Sequence, residues 1–152
     1  MALIFHRLSA WLWHHGLRLP SRILDRLARA LTGNVVPGSA TIGPGCALAY
    51  GGIAVVVHKD AVVGRGVLIG QAITLGAKEG YASSETLAAP TIGDNCYLAA
   101  GCRIIGGVTV GANSIVATNA VVLADVPRHS VVVGMPARLV GRTPPDYRAI
   151  RP

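Results

Sequence analysis

From Val56 onward the chain repeats every six residues, and that period excludes most folds. Val57-His58, Val63-Gly64, Ile69-Gly70 and Leu75-Gly76 fall six apart. After an interruption, Ile92-Gly93, Leu98-Ala99, Ile104-Ile105, Val110-Gly111, Val116-Ala117 and Val122-Leu123 resume the beat. An amphipathic helix buries residues at a period of about 3.6, and a half-buried strand at a period of about 2. An aliphatic residue at every sixth position, in most cases followed by a small one, matches neither. It matches an all-β parallel β-helix, in which each hexad makes one short side and a turn and three hexads make a coil of about 18 residues. The branched aliphatics stack inward as columns, and the small residues let the chain turn without a Cβ clash.

Composition agrees with a narrow core. Hydrophobic residues make up 51% of the chain but aromatics only 5%, so the apolar weight is Val, Ile, Leu and Ala, which thin coils can hold. No apolar run approaches the ~20 residues of a membrane-crossing helix. His6 and Arg7 interrupt the apolar N-terminus, and no small-residue cleavage site follows. A cytoplasmic protein is expected. The three cysteines, Cys46, Cys96 and Cys102, have neither CxxC nor metal-ligand spacing and fit reduced, packed thiols.

The net charge is +7, and much of it lies outside the repeats: Arg7, Arg18, Arg22, Arg26 and Arg29 near the start, Arg138, Arg142, Arg148 and Arg151 near the end. A phosphorylated cofactor, an anionic membrane surface or nucleic acid would each suit such ends. No nucleic-acid motif or aromatic stacking platform accompanies the charge, so nucleic acid is not expected.

Residues 1–33 read as two helices. Ile4, Leu8, Trp11, Leu12 and His15 are helically spaced before Gly16. After Pro20-Ser21, the residues Ile23, Leu24, Leu27, Ala28 and Leu31 share one face, Arg22, Asp25, Arg26 and Arg29 take the other, and Gly33 closes the segment. Two readings stay open: a cap over the exposed first coil, or a basic amphipathic helix resting on a membrane. Residues 34–141 form the repeat domain. Its register slips by three residues at Tyr50-Gly51-Gly52, where a bulge is expected, and a loop over 77–90 interrupts it. Loops on rigid scaffolds often carry function; Ser83, Ser84 and Glu85 lie there. The tail, 142–152, contains Pro144, Pro145 and Pro152 and is expected to be frayed.

Gln71-Ala72-Ile73-Thr74-Leu75-Gly76 before the loop, Pro90-Thr91-Ile92-Gly93 after it, and Val126-Pro127 through Gly134-Met135-Pro136-Ala137-Arg138 resemble the left-handed β-helix acyltransferases, and among them the serine acetyltransferase branch. The short helical N-terminus is similar to the small members that acetylate exopolysaccharides such as colanic acid. The resemblance implies an acetyl-CoA-dependent O-acetyltransferase without a metal, acting on a hydroxyl of a sugar or polysaccharide precursor or a serine-like small molecule. It also implies a homotrimer with coenzyme A between adjacent β-helices. Carried over by position, the pantetheine arm would pass Gly76 and Ala77, Ala99 and Ala100, and Ala117 and Thr118, with Arg138 and Arg142 meeting the phosphates.

The sequence departs from that family at its catalytic bases. The two histidine positions typical of serine acetyltransferases fall on Tyr50 or Gly51, and on Ala89. His58, the histidine inside the repeats proper, should stack beneath Gly76 one coil later and is the candidate general base, with Asp60 as a candidate orienting group. Tyr50 and Gln71 are candidate acceptor contacts. His129 reads as structural, and the adjacent His14 and His15 cannot share a helix face to form a metal site. The alternative function is a trimeric β-helix module that binds or regulates without catalysis.

Overall fold

The computed structural model describes residues 2–78 and 88–150. The expected loop therefore lies largely outside the described residues, together with Ser83, Ser84 and Glu85. Helices α1 (Ala2–His14) and α2 (Arg18–Thr32) come first. The strands follow as β1 (Thr41–Ile42), β2 (Ala47–Leu48), β3 (Val56–Val57), β4 (Val62–Val63), β5 (Leu68–Ile69), β6 (Thr74–Gly76), β7 (Thr91–Ile92), β8 (Tyr97–Leu98), β9 (Arg103–Ile105), β10 (Thr109–Val110), β11 (Ile115–Val116), β12 (Val121–Val122), β13 (Ser130–Val133) and β14 (Arg138–Arg142).

The strands stack into three sheets, β1-β4-β7-β10, β2-β5-β8-β11-β13-β14 and β3-β6-β9-β12, with parallel pairing except for β13 against β14. This is the left-handed β-helix expected from the hexads, preceded by the two expected helices. Register follows the hexad count. Val56 pairs with Thr74 and Thr109 with Thr91, three hexads apart. Thr41 pairs with Val62, three residues more than a coil, and the surplus forms the short 3-10 turn Ala49–Gly51 followed by Gly52. The sequence reading put the slip at that place.

Three inward columns form the core. Val63, Ile92 and Val110 stack on one side, Ile69, Leu98, Val116 and Val132 on the second, and Val57, Leu75, Ile104 and Val122 on the third. All are buried, and each contributes roughly 1.5–3 kcal/mol on burial. Small residues fill the corners between columns. Cys96 lies one coil below Ser114, and Cys102 one coil below Ala120, both fully buried.

At the corner between the first and second sheets the backbone turns left-handed once per coil, at Gly45, Gly66, Asn95, Asn113 and His129. Asparagine tolerates that conformation, and its amide can bond along the stack. Asn95 Nδ2 donates to Asn113 Oδ1 (2.7 Å) and to the Tyr147 carbonyl (2.6 Å), while Asn95 Oδ1 accepts from the Ala149 amide (2.8 Å). Residues 143–150 are thus tied back along this corner, in contrast to the frayed tail that the prolines suggest. The asparagine ladder supplies anchors that a local reading of proline misses.

The helices also differ from the cap reading of their apolar faces. Ser9 Oγ donates to Asp25 Oδ1 (2.6 Å) and lies 2.8 Å from Ser21 Oγ, and the Gly38 amide donates to the Asp25 carboxylate. A Cβ on Gly38 would collide with Ser9, so small residues draw the helices onto the first coil. Asp25 therefore faces inward, whereas Ile23, Leu27 and Leu31, which a cap over the first coil would bury, are exposed. His6 is buried beside this contact, and its Nδ1 has no hydrogen-bond partner among the described residues.

Two predictions follow from these contacts. Asn95→Ala removes three hydrogen bonds at a left-handed position and lowers the unfolding free energy by about 2 kcal/mol in urea denaturation, with faster proteolysis of the tail; Asn95→Gly, which keeps the backbone, loses less. Burial pulls His6 below its ordinary value of 6.5, against the opposing carbonyls of Val36 and Pro37. The unfolded chain therefore takes up the proton first, and stability falls as pH drops below 6.5. Thermal melts between neutral and mildly acid pH should show that fall, diminished in His6→Gln.

Candidate active site

Register sorts the candidate residues onto two edges of the prism. Leu98 pairs with Val116, which pairs with Val132, so Ala99 lies one coil below Ala117 and Ala117 beside Val133. Arg138 is the antiparallel partner of Val133. Gln71, Ala100 and Thr118 occupy the next position around the turn, where Gly101 N donates to Gln71 O and Asn119 N to Ala100 O (both 2.9 Å). Tyr50 bulges from this edge below Gln71, 87% exposed, with φ 53°. Ile53, exposed beneath Gln71, was not singled out in the sequence because the bulge hides its register.

His58, Gly76 and Ala77 lie on the other edge of the β3-β6-β9-β12 face. Val57 pairs with Leu75, and the His58 amide donates to the Leu75 carbonyl (2.8 Å), so His58 does stack beside Gly76. A Cβ on Gly76 would lie 3.0 Å from Ile105 Cδ1, so that corner is already filled within the chain. One copy of the chain does not bring His58 together with Tyr50 and Gln71.

The first edge suits an extended amide-bearing ligand. The amides of Ala99 and Ala117 are used within the stack, donating to Val116 O and Val132 O (both 2.9 Å). Those of Ala100 and Thr118 have no acceptor among the described residues and recur one coil, about 4.8 Å, apart. Small side chains leave them approachable. Arg138 sits exposed at the end of the same edge, its Nη1 donating to the Ala137 carbonyl (3.1 Å).

The histidines are more constrained. His58 Nδ1 accepts from the Asp60 amide (3.3 Å), so in its neutral form the ring carries its proton on Nε2. The Asp60 carboxylate is bonded to Lys59 Nζ and lies 3.8 Å from His58 Nδ1. His129 has both ring nitrogens engaged: Asn113 Nδ2 donates to Nε2 (3.2 Å), and Nδ1 lies 3.3 Å from Thr143 Oγ1, which itself donates to the Asn113 carbonyl. It fastens the last coil to the tail. Among the described residues, no three of His, Cys, Asp and Glu gather as a metal site would require. A hollow of about 400 Å³ lined by Asn95, Asn113, Asp146, Tyr147 and Arg148 lies on the asparagine corner, away from both edges.

By sequence and by fold the chain is similar to the hexapeptide-repeat transferases. Residues 89–124 match the family model described as bacterial transferase hexapeptide (six repeats). The chain is 35% identical to the serine acetyltransferase of Synechococcus elongatus over 93% of its own length and 57% of that protein, and 35% identical to that of Mycobacterium tuberculosis over 93% and 60%. Its fold superposes on the Brucella abortus serine acetyltransferase with a TM-score of 0.87 at 31% identity, covering 93% of this chain and 56% of that one. The same enzyme solved in complex with coenzyme A gives 0.83 at 32% identity, covering 94% and 56%. The chain thus spans little more than half the length of the relatives it matches.

Burial raises all three thiols, Cys96 to about 11 and Cys102 to about 12, and the carbonyls of Gly64 and Gly111 accept from Cys46 and Cys96. They are therefore protonated at neutral pH and poor nucleophiles. A disulfide-exchange reagent at neutral pH should leave Cys96 and Cys102 unmodified in the native protein and modify every thiol once urea unfolds it.

Proposed function

We propose that the chain is an acetyl-CoA-dependent O-acetyltransferase whose acceptor is a hydroxyl of a sugar or polysaccharide precursor or of a serine-like small molecule. The observation that carries this reading is the edge on which Ala99, Ala100, Ala117 and Thr118 stack in register toward Arg138, with the amides of Ala100 and Thr118 free to donate. Those two donors would bind the amides of the pantetheine arm, and the guanidinium of Arg138 would meet the phosphates. Acetyl-CoA supplies an activated thioester. The new ester C–O bond forms as the C–S bond breaks, and the hydroxyl proton ends on the departing thiol. Tyr50 and Gln71, at the foot of this edge, would orient the acceptor.

His58 completes the site from the opposite edge, so the reading requires a neighbouring copy, and a homotrimer closes such a contact by rotation. With Nδ1 occupied by the Asp60 amide, the Nε2–H is the available group, and its role is to donate to the oxyanion that develops on the thioester carbonyl. A second reading, a module that binds acetyl-CoA without turnover, is favoured by the departure from the family pattern: carried over by the resemblance, the two histidine positions of serine acetyltransferases fall on Tyr50 or Gly51 and on Ala89.

The test is release of coenzyme A thiol from acetyl-CoA with L-serine and with a panel of sugar hydroxyls. Release with one acceptor names the substrate class. Under the proposed role, His58→Gln retains the rate within about tenfold, because its amide still donates, whereas His58→Ala loses about a hundredfold or more. Equal losses in both would assign His58 as the base instead. Ala117→Trp should weaken coenzyme A binding at least tenfold by calorimetry, roughly 1.4 kcal/mol or more. Binding of acetyl-CoA without release from any acceptor would favour the second reading.

A further inference from the structure

The outward faces of the two helices are apolar and basic, and nothing among the described residues covers them. On α2 the exposed residues Leu19 (70%), Ile23, Leu27 and Leu31 (63%) recur every fourth position and form one stripe. Arg18, Arg22 and Arg26 each precede a member of that stripe by one residue, and Arg29 lies beside them, so a basic row flanks it. On α1, Ile4 (72%), Leu8 and Trp11 are likewise exposed, with Arg7. The polar faces point inward instead, through Ser9, Ser21 and Asp25. A soluble capping helix would have the opposite orientation.

We propose that this face docks on an anionic lipid bilayer, the apolar stripe sinking into the interface and the arginines meeting lipid phosphates. The charge decides the occupant. Asp25 is the sole acidic residue among residues 2–33, and it is bonded inward to Ser9 and Gly38. A second copy presenting the same face would set arginine rows against arginine rows. Among the described residues its remaining carboxylates are few and scattered: Asp60 is paired with Lys59, Asp94 and Asp125 hold the Arg65 and Thr109 amides, and Asp146 lies on the tail. An anionic surface supplies the missing counter-charges and takes up the apolar stripe together. Among the described residues no helix is long and apolar enough to cross a membrane, so the contact lies on the surface.

The test is co-sedimentation of the full chain with vesicles of equimolar phosphatidylglycerol and phosphatidylcholine, against phosphatidylcholine alone. The substituted positions are exposed, and circular dichroism verifies that the helices persist. Binding should require phosphatidylglycerol and weaken with salt. It should fall about thirty-fold or more in Arg22→Glu/Arg26→Glu and at least about tenfold in Ile23→Ser/Leu27→Ser. Absence of binding to the phosphatidylglycerol vesicles, or binding unaffected by Ile23→Ser/Leu27→Ser, overturns the proposal. Sedimentation velocity completes the test: a lower oligomeric mass in Ile23→Ser/Leu27→Ser, with vesicle binding unchanged, assigns the face to a second copy and also overturns it.

Discussion

The parallel backbone ladder between successive coils is the interaction on which the rest of the molecule depends. Each short strand satisfies its amides and carbonyls on the coils above and below, as when Gly70 N donates to Leu98 O and Ala99 N to Val116 O. Strands of two residues would be worthless in isolation. They hold because the ladder repeats and because each adds one aliphatic side chain to an inward column. The step of three hexads fixes which residues stand above one another, and so where every functional group falls. Insertions are tolerated only at corners, where the ladder is interrupted anyway. The bulge at Tyr50 is such a place.

That constraint makes the candidate site a property of edges. An edge offers the same turn position once per coil, so a ligand that lies along it meets a repeating series of groups about 4.8 Å apart. Ala100 and Thr118 are such a series, and Arg138 ends the neighbouring one because β14 folds back on β13. The opposite edge carries His58 and Gly76. A prism cannot fold one edge onto the other, and residues on the two edges can share a substrate only across a contact between copies. The asparagine corner uses the same geometry for stability, with stacked side chains holding the tail.

Much of this was legible in the hexad count. The inward columns, the three-residue slip at Tyr50-Gly51-Gly52 and the stacking of His58 beside Gly76 all follow from counting sixes. The docking of residues 143–150 was not, because it depends on Asn95 and Asn113 meeting chain some fifty and thirty residues away. The direction of the helix faces was not legible for a related reason. Helical spacing identifies a stripe but not its direction, and here a close contact of Ser9, Ser21, Asp25 and Gly38 outweighed burial of leucines.

By itself the sequence determined the β-helix, its register and the kinds of side chain available at each corner, because a period of six in aliphatic residues has few other solutions. Only the tertiary structure decided that the candidate residues divide between two edges, that His58 Nδ1 is taken by a backbone amide, and that the helices turn their leucines and arginines outward. These depend on hydrogen bonds between residues distant along the chain or on which face of an element meets a neighbour. Periodicity carries no record of either.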